Sequence, residues 1–130
     1  MTPDEILEID AKKNKPKGTT AGQSRFRINR WFEKGGQLVQ DNKTLFLYVS
    51  NGQGEVEVHT YTADNPDGYA RSLEAFIKLM KASGVKQLVT LFSNRPKLQQ
   101  FLRGLADRLA IPCDIKDYGT HTFLRANLQE

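Results

Sequence analysis

The chain has 130 residues, enough for one domain with a single core and short for two ordinary ones. Its 38% hydrophobic and 26% charged content fits a globular protein, and no apolar run approaches the roughly 20 residues of a membrane span, so membrane insertion is not expected. The net charge of +4 is unevenly spread, and the single cysteine, Cys113, excludes an internal disulfide and offers no metal-ligand spacing.

Thr2-Pro3-Asp4-Glu5 predicts a helix start, with Thr2 as cap, Pro3 at the first helical position and Glu5 completing a capping box. Ile6, Leu7 and Ile9 give this helix a short apolar face. The same opening stretch is acidic and polar, which does not read as a secretory leader, so a cytoplasmic setting is expected. Met1 to Asp10 carries four acids and no lysine or arginine. Lys12 to Lys34 reverses this with Lys12, Lys13, Lys15, Lys17, Arg25, Arg27, Arg30 and Lys34 against Glu33 alone. A block of that sign attracts nucleic acid, anionic lipid or an acidic protein, and its ordinary alternative is a solvated arm. Pro16, Gly18 and Gly22 break Lys12 to Gly22 into a candidate mobile linker. Residues 1–22 therefore read as a helix plus a flexible basic arm, and residues 23–130 as one domain.

Gln23 to Glu33 predicts a second helix, with Ser24 as cap and Ile28, Trp31 and Phe32 on its apolar side. Arg27, Arg30 and Lys34 fall at i, i+3 and i+7 and make a basic stripe. Three strands follow as a meander: Gln37–Gln40, Thr44–Val49 and Glu55–Thr62, the last two joined by the turn signal Ser50-Asn51-Gly52-Gln53-Gly54. The third alternates, with Val56, Val58 and Thr60 facing one way and Glu55, Glu57, His59 and Tyr61 the other, which predicts one buried side and one wet or functional side. Asn65-Pro66-Asp67-Gly68 then turns the chain into a helix through Ala70, Leu73, Ile77 and Met80, stopped at Ser83-Gly84. A strand at Gln87–Phe92, a helix opened by Ser93-Asn94-Arg95-Pro96 and two closing strands, Ile111–Asp117 and Thr120–Leu128, complete the order. A strand between two amphipathic helices is a crossover unit, and it places the chain in the α+β or α/β class.

From Gln23 to Leu128 this order resembles the GNAT acetyltransferase family without its usual first strand. The resemblance implies a mixed sheet of about five to six strands with helices on both faces. It also implies a Gln/Arg-x-x-Gly-x-Gly/Ala turn whose backbone amides hold the pyrophosphate of acetyl-CoA. Asn65-Pro66-Asp67-Gly68-Tyr69-Ala70 stands at that place. Gly68 and Ala70 match. Asn65 departs from the pattern, Pro66 removes a donor and Asp67 brings a negative charge. As an ordinary helix start the same residues read as cap, first position and dipole-favoured acid. Asn94 matches a second family position, but the residue seven further on, where the family often has a proton-donating Tyr, is Phe101.

The chain is also similar to small GNAT-like virion proteins of short-tailed phages in three places: Thr62-x-Asp64, Asn94 with Phe101-Leu102, and Tyr118-Gly119-x-x-x-Phe123. Three readings follow. The first is a non-catalytic GNAT-like binding or structural protein that docks to a protein or DNA partner through Lys12 to Lys34 and carries no cofactor. The second is an acetyl-CoA-dependent N-acetyltransferase, with Asn65, Gly68, Ala70 and Asn94 on the cofactor and Glu57 or His59 deprotonating the amine. The third is a basic nucleic-acid-binding module with Trp31 or Tyr61 stacking on bases. His121 and Cys113 read as ordinary strand residues, and no Walker loop, HExxH or paired-cysteine motif is present.

Overall fold

The structure, a computed structural model, describes residues 1–93 and 95–129. Its elements are α1 (Pro3–Lys13), α2 (Ala21–Glu33), β1 (Gln37–Asp41), β2 (Thr44–Ser50), β3 (Glu55–Thr62), α3 (Pro66–Ala82), β4 (Gln87–Ser93), α4 (Pro96–Arg108), β5 (Cys113–Asp117) and β6 (His121–Asn127). One sheet runs β1-β2-β3-β4-β6-β5. Only β3 and β4 are parallel, as a helical crossover requires. This is the expected mixed α+β architecture.

Local chemistry explains the boundaries. Thr2 and Glu5 form the predicted capping box of α1. In α2 the box is Thr20 with Gln23, so the helix starts at Ala21 and the expected cap, Ser24, is instead a buried residue inside it. Asn65 caps α3 and Pro66 takes its first position, both as predicted. β5 begins at Cys113, two residues past the expected Ile111. The Ile111 amide is spent on the Ala106 carbonyl, closing the end of α4, and Pro112 has no amide for a ladder.

The sheet is covered on both sides. On one side Phe46, Val56, Val58 and Leu88 pack against Leu73, Phe76 and Met80 of α3 and Leu105 of α4. The Phe46 and Phe76 rings stack there at 4.4 Å. On the other side Leu45, Leu47 and Tyr61 pack against Ile6 and Leu7 of α1 and Ile28 of α2. Tyr61 therefore departs from the wet face expected of it: α1 and α2 leave it 1% exposed, which removes it as a stacking platform for bases. The same strand face is open at Glu57, where those helices no longer cover it.

The connection after α1, read as a mobile linker, is tied down at its start. Asp10, 1% exposed, accepts the Thr62 amide at 3.0 Å and Asn14 Nδ2 at 3.1 Å, and pairs with Lys15 Nζ at 2.7 Å. Asn14 Nδ2 also donates to the Thr62 carbonyl and Lys15 Nζ to the Thr60 carbonyl. Replacing Asp10 with Ala strands a buried ammonium and a buried amide together. Urea unfolding of Asp10→Ala is expected to show a loss of about 3–5 kcal/mol, whereas a loss below about 1 kcal/mol would mean that this network does not hold α1 to the sheet.

Candidate binding cleft

The β3–β4 ladder is short. It runs from the pair Glu55–Gln87 to the pair Glu57–Val89 and ends, although β3 continues to Thr62 and β4 to Ser93. Beyond it the strands part. The bonds of Asn51 N–H to Glu55 O and of Ala63 N–H to Lys43 O show that odd-numbered residues of β3 serve β2. The even-numbered ones therefore aim at the opening: the Val58 carbonyl and the Thr60 amide look into it, and the outer groups of Thr60 and Thr62 are taken by Lys15, Asn14 and Asp10.

The opening is a cavity of about 660 Å³. Leu98, Leu102 and Leu105 of α4 and Leu109 just after it line its apolar end together with Leu88 and Leu124. Lys15, Arg27, Trp31, Glu57, His59 and Arg95 line its polar end. Arg95, just before α4, donates to the Asn14 carbonyl, so the α1–α2 connection and the start of α4 meet across the gap.

Electrostatics at the polar end follow from burial. Arg27 Nη1 donates to His59 Nε2 at 2.6 Å, and a guanidinium has no lone pair to accept in return, so the imidazole proton sits on Nδ1. The His59 ring lies 5.1 Å from Tyr61 and 6.5 Å from Trp31. Burial first, then the charges of Arg27 and Lys15, pull the His59 pKa from 6.5 to about 3. A neutral imidazole whose free lone pair is engaged by Arg27 is a weak base. Burial likewise lowers the Lys15 pKa, opposed by Asp10, and raises the Tyr61 phenol to about 12.

The residues singled out in the sequence are distributed as follows. Glu57 and His59 share one face of β3 and both reach the cavity, but Glu57 is exposed and His59 is turned to Arg27. Lys15 and Arg27 also line the cavity. Arg25 pairs with Asp4 at 3.2 Å and Arg30 lies over the Phe26 ring. Lys12, Lys13, Lys17 and Lys34 stand on exposed positions. Ala70 packs at the edge of the core under α3. Phe101 stacks on Tyr69 at 5.5 Å, and the Tyr69 hydroxyl hydrogen-bonds with that of Thr60. Asn94 lies outside the described residues. Among the described residues no group of His, Cys, Asp and Glu is placed to hold a metal ion, and no helix is long and apolar enough to cross a membrane.

Asp10, Asn14 and Arg95 were given no site role from the sequence, and Asp64 appeared there only in the Thr62-x-Asp64 match. Asp10 left one signal, an acid at helical spacing among Ile6, Leu7 and Ala11 on the apolar face of α1. Asn14 meets Thr62, and Arg95 meets Asn14, only through the fold, whereas Asp64 acts on its near neighbours Asn65 and Gly68.

Asp64 decides what the start of α3 can hold. Its carboxylate accepts the Asn65 amide at 2.9 Å and lies against Gly68 so closely that an added Cβ would fall onto it. Asn65 Oδ1 takes the Gly68 amide at 2.8 Å, and Pro66 has no amide. The anion-favouring end of α3 is thus filled by the protein's own carboxylate and amide side chains. A pyrophosphate placed there loses those donors and meets Asp64 and Asp67, each repelling it by about 1–4 kcal/mol at close range. The residues present do not fit the pyrophosphate of acetyl-CoA at this seat.

No family model and no curated protein matches the chain. Solved structures do. A Bacillus subtilis acetyltransferase in complex with CoA superposes with TM-score 0.62 at 13% identity, covering 99% of this chain and 95% of the other. Tetrahymena GCN5 gives TM-score 0.62 at 13% identity over 97% and 86%. An N-acetyltransferase from Staphylococcus aureus Mu50 gives 0.58 at 14% identity over 98% and 96%. The chain has the GNAT acetyltransferase fold over nearly its whole length, and at this identity the likeness establishes the fold alone.

The His59 pKa makes a pH prediction. A group depressed in the folded state stabilises above its unfolded pKa of 6.5 and loses that contribution as pH falls toward about 3. Stability should therefore drop between pH 6.5 and 4.5, before most carboxylates titrate, by up to about 1.4 kcal/mol per pH unit from this residue. Denaturant unfolding of His59→Gln at pH 7 and pH 5 should remove most of that drop. Equal pH dependence in variant and parent would show that His59 titrates normally.

Proposed function

We propose that this chain is a GNAT-fold binding protein that does not transfer acetyl groups. One observation carries the reading: the Asp64 carboxylate occupies the anion seat at the start of α3. Two others support it. Phe101 offers no proton for a leaving thiolate, and the His59 imidazole in the cleft is neutral and bonded to Arg27. What remains is the interstrand cleft and a set of exposed basic residues, Lys12, Lys13, Lys17 and Lys34, suited to an acidic protein partner or to DNA. The similarity to virion proteins makes phage particle components the first partners to try.

Acetyl-CoA at 1 mM separates this reading from the enzyme. A ligand with a dissociation constant of about 10 μM would stabilise the native state at that concentration by about 2.7 kcal/mol, a shift of several degrees in Tm. The expected result is no shift for the natural chain, and a gain of CoA affinity when Asp64 and Asp67 are replaced together by Ser and Asn. A clear shift with the natural chain would return it to the acetyltransferases. A short DNA duplex run at two salt concentrations tests the nucleic-acid arm, which requires binding that weakens steeply with salt.

A further inference from the structure

We infer that the cleft between β3 and β4 binds a single-chain amphiphilic anion, a medium-chain carboxylate, with its head at Arg27 and Arg95 and its tail along Leu98, Leu102 and Leu105. The inference rests on the non-catalytic reading, because that reading leaves the cleft without an acyl-CoA to hold. The cavity volume of about 660 Å³ lies within the roughly 300–1,000 Å³ usual for small-ligand pockets. Its two ends differ in chemistry. Leucines of α4 face strand residues at one end, and three cations gather at the other.

Among the described residues, two of these three cations have no carboxylate partner. Lys15 is balanced by Asp10. Among the described residues neither Arg27 nor Arg95 has a carboxylate within 4.0 Å: Arg27 spends a donor on neutral His59, Arg95 on the Asn14 carbonyl. Among the described residues Glu57 is the one carboxylate that lines the cavity, so even with it counted their charges leave the polar end one positive charge in excess. Both guanidiniums lie close enough to act on Lys15, and a carboxylate there would find two charge-assisted donors and the inward-facing Thr60 amide. A pyrophosphate reaching the start of α3, outside the cavity lining, is disfavoured by Asp64, and a cationic amphiphile by Arg27 and Arg95. A carboxylate head on an apolar chain meets neither obstacle.

The test is isothermal titration of the full chain with hexanoate, octanoate, decanoate and dodecanoate below their micellar range, with decyltrimethylammonium and acetyl-CoA in parallel. Affinity is expected to rise by up to about fourfold per methylene while the tail still finds leucines, then level off. Arg27→Gln, at an exposed helix position, should weaken decanoate about tenfold or more. Leu102→Trp should abolish binding by filling the apolar end. If Leu102→Trp does not fold, Cys113 supplies the second readout. Its half-buried thiol lines the same cavity, and decanoate should slow its modification by a thiol reagent at pH 8.5. Equal binding of the ammonium amphiphile, an unchanged affinity in Arg27→Gln, or silence across the carboxylate series would each overturn the assignment. Acetyl-CoA binding overturns the non-catalytic reading instead, so the two failures are distinct.

Discussion

Two parallel strands that separate leave backbone donors and acceptors facing a gap, and this structure is arranged around that problem. A buried unpaired amide or carbonyl costs as much as a lost hydrogen bond, so the exposed edge of β3 has to be satisfied by something. The chain uses the end of α1 for it. Asp10 takes the Thr62 amide, Asn14 the Thr62 carbonyl and Lys15 the Thr60 carbonyl. Arg95 then reaches Asn14 from the far side of the gap. One small network therefore joins α1, β3 and the start of α4, and the first helix is part of the domain rather than an appendage to it. The inner groups at Val58 and Thr60, nearer the point where the ladder stops, are left for the cleft.

The same accounting at the start of α3 has the opposite result. A helix N-terminus with free amides is a site for an anion, and one with capped amides is only a helix start. Here Asn65 and Asp64 take the amides that an external phosphate would need, and Gly68 is required because its missing Cβ makes room for the Asp64 carboxylate. The glycine that resembles a cofactor-binding residue thus serves an internal contact. The chain has the fold of the acetyltransferases, and the start of α3 is occupied by its own side chains.

Burial and charge act together at the polar end of the cleft. His59 stays neutral because it is desolvated beside Arg27 and Lys15, and its neutrality lets a guanidinium approach to 2.6 Å. A protonated imidazole there would repel Arg27. The outcome, among the described residues, is an arginine held in place by a neutral partner.

The elements and their order were legible in the sequence because they depend on neighbours a few residues apart. The capping box of Thr2 and Glu5, the Asn65-Pro66 start of α3 and the glycine-rich turn before β3 all act within one turn of backbone. The apolar periodicity of α3 likewise foretold which of its faces packs. Limits appeared where local signals competed, as at Ser24, passed over because Thr20 with Gln23 makes the better cap. Alternation along β3 also assigned Tyr61 to a wet face, since a single strand carries no sign of the helices that will cover its second side. Lys15, Arg27, Glu57 and His59 were named from the sequence and line the cleft, but which groups they meet there was decided by tertiary structure. Asn14 meets Thr62 across 48 positions and Arg95 meets Asn14 across 81, and the seat at Gly68 is filled by a carboxylate whose direction only the folded turn sets. Such pairings depend on where the strands part and on which side chains the parting brings face to face, and no spacing along the chain encodes either.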